Sequence, residues 1–461
     1  MKKVLALAVV ASMLSATAAG SVLAEENAAS MKGNGDAKLT VFVYAQEHDK
    51  AIYEQLIEEY VQEHADEIGE VVFEVTTSDE YGTKMIANMT ANDMPDIFYV
   101  GPESVKSYAD NGYIQPLDDL VDSEVVDQLW PALMTAYRYD GDTVGEGSLY
   151  CLPKDLSCFA FAYNKDLFDE AGLDYPDPEN PYTYDEFIEV CQALTKDTDG
   201  DGEIDQWGVA NANQWGMTPY LYSNGARFLT DDYTTVNLVD NEAMKNAFEF
   251  YVGLTTEYGV TPSVEQDTAL GGYQRWLDGQ IGFYACGTWD VAAFMDKATF
   301  PYEWDLCAYP IGPDYDKSST WLGTVGYAVS ASTEYPELAA GLITKLSTDQ
   351  DGQEAVSGYS TGQSIQLPNI MDFAKGDYRE AVENGDVPYA SNIDVIYNYI
   401  EGTDKYQGIF SETTYTPNDE WWTIFWSGVV NVQQGDVSVE EFFEEIQDEM
   451  QESLDDAYDE M

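Results

Sequence analysis

Between Tyr150 and Trp207 the spacing of apolar residues changes from two to about 3.6 within a few positions, the mark of a strand passing into a helix. Phe159, Phe161 and Tyr163 stand two apart, the repeat of a strand with one buried face. Asn164 to Ala171 then reads as a short helix stopped by Gly172, a residue that tolerates positive φ. Thr183 and Glu186 have the spacing of a capping box, and Phe187, Ile188, Cys191 and Leu194 give the helix that follows an apolar stripe. The same alternation runs earlier in the chain. Leu39 to Tyr44, Val71 to Val75 and Met94 to Val100 read as strands, with helices over Asp49 to His64 and Tyr81 to Met89 between them. Strand, helix, strand, helix, strand predicts right-handed crossovers and a mainly parallel sheet.

At 461 residues the chain is too long for one ordinary core, so two or more domains are expected. Lys2 and Lys3 precede the apolar run Val4 to Leu14, and Val22 to Ala24 has the small residues a signal peptidase reads. This predicts a signal peptide over residues 1–24, export, and a flexible polar leader over 25–37. After the N-terminus no stretch supplies the ~18 apolar residues of a membrane span. The net charge of -65 repels nucleic acid and anionic lipid, which argues against both as partners.

Several ordered segments carry a family likeness. Tyr163-Asn-Lys-Asp-Leu167 is followed by Thr183-Tyr-Asp-Glu-Phe187 and by an acidic, Gly-rich loop from Asp197 to Gly208. Upstream stand Pro95-Asp-Ile97 and Gly112-Tyr-Ile-Gln-Pro-Leu117. Downstream come the run Tyr273 to Tyr284, then Gly287-Thr-Trp289, and Pro336-Glu-Leu-Ala-Ala340. In order and spacing this series resembles the extracellular solute-binding proteins of carbohydrate ABC transporters, the maltose-binding-protein-like group. The resemblance covers roughly residues 38–365 and 415–455. It implies an α/β fold of two periplasmic-binding-protein-like lobes, each a mainly parallel sheet flanked by helices, joined by a multi-segment hinge. The first lobe would comprise residues 38–155 plus 323–367 and the second 156–322 plus 368–461, with crossings near 154–159, 319–326 and 365–372. Residues 370–415 are the least legible part of the chain.

Sugars present hydroxyls at their edges and C–H patches on their faces, so a site for them needs aromatic platforms beside polar groups that donate and accept. By position in the resemblance, Trp289 and Trp215 are the expected stacking residues of the second lobe, with Trp321 at the return crossing. Of Trp421, Trp422 and Trp426 at least one is expected to face the cleft; Trp422 and Trp426 are the candidates. From the first lobe come Gln46, Glu47 and Tyr99, and Asp155 lies at the crossing. For each the competing reading is a packed aromatic or a solvated polar group.

Asp197, Asp199, Asp201 and Asp205, with Glu203 among them, match part of a calcium loop, but Gly208 stands where the closing bidentate Glu belongs. A structural Ca²⁺ and an Asx-rich turn without metal both remain open; no other cofactor is expected. The chain has five Cys and two His. A Cys/His zinc site or a His-based triad is therefore not expected. Cys286 with Cys307, and Cys151 with Cys158, are candidate pairs, and Cys191 a free buried thiol.

The resemblance implies a monomeric, non-catalytic protein that captures a carbohydrate, of oligosaccharide size, and delivers it to ABC permease subunits. It would be extracellular or in the cell envelope, and with no Cys before Cys151 no lipid anchor is expected. The alternatives are a secreted glycoside hydrolase, since Trp, Asp and Glu also build glycosidase clefts, and a lectin without a transporter.

Overall fold

The computed structural model describes residues 28–459, so the expected signal peptide lies outside the described residues. Two six-stranded arrays organise the chain. The first runs Ala28–Lys32, Ile68–Thr76, Ala37–Tyr44, Ile97–Val100, Gly326–Val329, Cys151–Pro153. The second runs Tyr406–Phe410, Ser318–Gly323, Ser157–Asn164, Ile281–Gly287, Trp207–Val209, with Trp304–Cys307 also paired to Ser157–Asn164. The chain thus builds one sheet, crosses at 153–157, builds the second, and crosses back and out again through 323–326 and 366–370.

Strand directions are mixed rather than mainly parallel. Ala37–Tyr44 is parallel to both Ile68–Thr76 and Ile97–Val100, as the βαβ pattern requires. The strands at the lobe boundary differ: Gly326–Val329 is antiparallel to Ile97–Val100 and to Cys151–Pro153. A segment arriving from the other lobe enters the sheet from its carboxyl end, so it runs against the strands already there. In the second sheet Ser157–Asn164 is antiparallel to all three of its neighbours for the same reason.

That strand is the core of the second lobe, and it is buried on both faces, not one. Phe159, Phe161 and Tyr163 enter an aromatic cluster in which Phe161 lies 4.1 Å from the Tyr309 ring and 5.4 Å from Phe187. Cys158, Ala160 and Ala162 face the other way, and their small size admits Trp130, Trp276, Trp304 and Tyr397 above them. Each fully buried ring contributes roughly 1.5–3 kcal/mol. The switch to helix is local chemistry: Asn164 Oδ1 accepts from Asp166 N and Leu167 N, and Gly172 ends the helix Lys165–Ala171 at φ 70°. Thr183 and Glu186 form the expected capping box.

The expected flexible leader is corrected in part. Ala28–Lys32 is an edge strand, antiparallel to Ile68–Thr76 and anchored by buried Met31 and by Ser30 and Lys32 on Glu70. Residues 370–415 supply short helices and then Tyr406–Phe410, an edge strand parallel to Ser318–Gly323. All five cysteines are free and buried. Cys286 and Cys307 flank opposite edges of Ser157–Asn164, two strand spacings or about 10 Å apart, too far for a bridge. Cys151 and Cys158 belong to different sheets.

Candidate functional site

The two sheets present the carboxyl ends of several strands to a shared gap, where ligands of open α/β sheets bind. In the first lobe, Tyr44 and Tyr99 close adjacent strands, their rings 5.1 Å apart edge to face. Tyr81 stands on the helix Ser78–Ala91; its hydroxyl donates to Tyr99 O at 2.9 Å and accepts from Tyr99 N at 2.8 Å, fixing the end of that strand. Burial pushes the Tyr44 and Tyr99 hydroxyls up, so both stay protonated donors. The chain then turns through Gly101 and Pro102 into Glu103, whose carboxylate folds back over Gly101.

The second-lobe wall is a row of indoles. Trp215, near the start of the helix Gln214–Tyr222, lies 5.5 Å from Trp321 and stacks at 5.8 Å on Trp422. Trp289 meets Trp321 edge-on at 6.4 Å, and both touch Phe159. Beyond them the loop from Phe410 to Asp419 completes the wall. It is held by buried Glu412, which accepts from Tyr222 Oη at 3.0 Å and Phe228 N at 2.8 Å.

Together these surfaces enclose a cavity of about 420 Å³ lined by residues of both lobes, with Gly323, Thr324 and Val325 of the crossing as its floor. The floor is tied down from beneath. Thr324 Oγ1 donates to Asp155 O at 2.6 Å, Val325 N donates to Asp155 Oδ1 at 3.2 Å, and Lys154 pairs with Asp155 at 2.8 Å. A ligand in this cavity therefore contacts both lobes and the hinge at once.

Residues 44–353 match the bacterial extracellular solute-binding protein family. The chain belongs to that family. This solute-binding protein is 24% identical over 266 residues to a maltotriose-binding protein of Pyrococcus abyssi, covering 57% of this chain and only 52% of that one. It is 21% identical over 355 residues to a lactose-binding protein of Rhizobium radiobacter, covering 74% and 79%. In fold it is similar to an ABC substrate-binding protein of Listeria monocytogenes in complex with cycloalternan: TM-score 0.73, 18% identity, 90% of this chain and 98% of that one. A cyclic α-maltosyl-1,6-maltose binding protein of Arthrobacter globiformis gives TM-score 0.70 at 21% identity over 92% and 99%. The two-lobed architecture is therefore that of known binding proteins.

Within this solute-binding protein the expected site residues separate into groups. Trp215, Trp321 and Tyr99 line the cavity. Trp289 stands at its lip, 48% exposed and in ring contact with Trp321. Trp422 is buried behind Trp215, and Trp426 is half-buried against the second-lobe core, away from the cavity lining. Asp155 acts on the hinge, with its carboxylate engaged by Lys154 and Val325 N. Gln46 is exposed at the start of the helix Glu47–Glu63, where its N–H donates to Asp49 Oδ2 at 3.3 Å, and is not among the lining residues. The side chain of Glu47 lies outside the described residues. Sequence reasoning missed Tyr44, Tyr81, Tyr108, Glu103 and Asp419. Only the Gly101-Pro102 turn, which marks the strand's end, hinted that Glu103 follows at a cleft edge.

In the acidic loop, oxygens of Asp197, Asp199 and Asp205 lie within 4.8 Å of one another; Asp201 and Glu203 are not in that group. Asp197 accepts from Gly202 N at 2.8 Å and Gly200 N at 2.6 Å, which holds its carboxyl below the ordinary range, and Asp205 accepts from Thr198 N. The backbone thus already meets part of the demand of these carboxylates, as in an Asx-rich turn, while the three hard oxygens are also the donor type Ca²⁺ takes.

Proposed function

We propose that this chain captures a carbohydrate of oligosaccharide size between its lobes and presents it to the permease of an ABC importer, without performing chemistry on it. One observation carries the reading: aromatic rings from both lobes line a single cavity floored by a crossing segment. Flat rings match the C–H faces of sugars, and the Tyr, Ser and Thr hydroxyls of the lining match their edges. A volume of about 420 Å³ is in the range of small-molecule sites. Contacts made to both lobes favour the closed arrangement, so the ligand itself drives closure. The names of the relatives, maltotriose- and lactose-binding, point to the same ligand class.

Export through residues 1–24, with cleavage after Ala24, and action as a monomer outside the membrane belong to the same reading. Among the described residues no helix is long and apolar enough to cross a membrane. No cofactor is required. Ca²⁺ at Asp197, Asp199 and Asp205 would serve the loop alone, and a melting point that is the same in Ca²⁺ and in chelator removes it from the account.

The test is a thermal-shift screen of glycans on the purified chain, followed by small-angle scattering with the best one. A raised melting temperature with a smaller radius of gyration is expected. An unchanged profile with a ligand that does bind would identify a rigid lectin. Glu103 and Asp419 are the carboxylates lining the cavity, so release of reducing sugar is assayed in parallel. None is expected, and release abolished by Glu103→Gln would identify a hydrolase.

A further inference from the structure

The cavity is rich in acceptors and poor in cations. Among its lining residues the charged ones are Glu103 of the first lobe and Asp419 of the second; no Lys, Arg or His is among them, and no Asn or Gln. The donors it offers are hydroxyls of Tyr, Ser and Thr, indole N–H groups and backbone amides. The cation placed behind its floor, Lys154, is already paired with Asp155 at 2.8 Å. Neither Glu103 nor Asp419 takes part in an ion pair within the described residues, and both side chains are exposed. The two lobes approach one another where Pro102–Ser104, which includes Glu103, meets Glu412–Thr414, on the loop that leads on to Asp419. Closing the lobes thus brings two like charges together with no counter-charge between them, which is unfavourable until something positive occupies the space.

The walls beside these carboxylates are aromatic: Tyr81, Tyr108, Trp215 and Trp321. Faces of Trp and Tyr attract a cation, and an ammonium group surrounded by rings and carboxylates gains from both.

Resting on the carbohydrate reading above, we propose that the cleft is selective for saccharides carrying a protonated amino group, held between Glu103 and Asp419 against the aromatic walls. A neutral sugar leaves the two carboxylates facing each other in the closed state, whereas an amino sugar neutralises them. An anionic sugar, such as a uronate or a sugar phosphate, is excluded by the same charges.

Titration calorimetry on the whole mature chain, at mildly acidic pH where sugar amines are charged, tests this with three probes: a β-1,4-glucosamine oligomer, its N-acetylated counterpart and the neutral β-1,4-glucose oligomer of equal length. The amine oligomer is expected to bind about tenfold or more tighter than the other two, the scale of one charge-assisted hydrogen bond. Glu103→Gln and Asp419→Asn should each bring that preference towards parity, with melting temperatures of the ligand-free variants showing that they fold. Equal or tighter binding of the neutral oligomer, or a preference that survives both substitutions, overturns the amine proposal and leaves the carbohydrate reading standing. No binding by any of the three, nor by any glycan of the thermal-shift screen, overturns both.

Discussion

The indole of Trp321 lies across Gly323, so close that a Cβ added to the glycine would fall 1.8 Å from the ring. The two residues are two apart on one strand and therefore share a face, and the missing side chain makes room for the platform. Trp289 has the same relationship with Gly287, where an added Cβ would meet its ring at 2.3 Å. The positions of these two indoles are thus shaped by a neighbouring glycine. Gly323→Ala should force Trp321 to another rotamer, weakening binding of the best glycan about tenfold by calorimetry and costing about 1–3 kcal/mol of stability through overpacking. A variant that binds as wild type would show that Trp321 is not a platform.

Trp321 and Trp426 provide a matched contrast, since only Trp321 lines the cavity. Trp321→Ala should reduce affinity by about 2 kcal/mol, the scale of an aromatic anchor, whereas Trp426→Ala should lower the melting temperature and leave affinity within about twofold. Trp215→Ala should resemble Trp321→Ala and in addition expose Trp422, which stacks behind it at 5.8 Å. A red shift of tryptophan emission in that variant alone would register the exposure.

The hinge makes a separate prediction. The Lys154–Asp155 pair is largely buried, its side chains 14% and 13% exposed, and Asp155 also receives Val325 N from the return crossing. Asp155→Ala removes the nearest carboxylate from a buried ammonium and opens a backbone N–H, which should cost about 3 kcal/mol in urea unfolding. Ligand-induced compaction should become smaller, because the two crossings would no longer move as one. A loss below about 1 kcal/mol would mean that the pair is solvated and does not couple the crossings.

What could be read from the chain follows from how local the governing physics is. Asn164, Thr183 and Gly172 were legible because a cap or a positive φ is decided within four residues. That Trp215 and Trp321 come to line the cavity follows from the family resemblance and from the expected return crossing, not from any periodicity. Glu103 and Asp419 were not legible, since a cavity wall made by residues from opposite lobes leaves no trace in the spacing of either. The antiparallel crossing strands failed for the same reason: direction in a sheet is set by where the chain comes from. Ala28–Lys32 falls within the expected leader because a five-residue edge strand with one buried side chain carries little pattern; its ladder to Ile68–Thr76 holds it.

Asp290 connects the lip of the cleft to pH. Its Oδ2 accepts from Gly287 N at 3.1 Å, closing the turn that presents Trp289. Burial pushes its carboxyl up to about 7, against an ordinary value of 3.8, and its neighbours Tyr273, Tyr284 and Cys286 provide no positive charge. The folded state therefore holds this proton more tightly than the unfolded one, so stability falls as pH rises from about 4 to about 7 and is level above that. Asp290→Asn keeps an acceptor for Gly287 N and removes the charge. It should match wild type near pH 4 and exceed it by about 2–4 kcal/mol at pH 8, measured as the difference in urea unfolding free energy at each pH. Because Trp289 rides on the same turn, the emission of wild type, and not of the variant, should change with a midpoint near 7. An equal stability difference at both pH values would show that the Asp290 carboxylate is hydrated in the folded chain, and that the turn beneath Trp289 is held by backbone geometry alone.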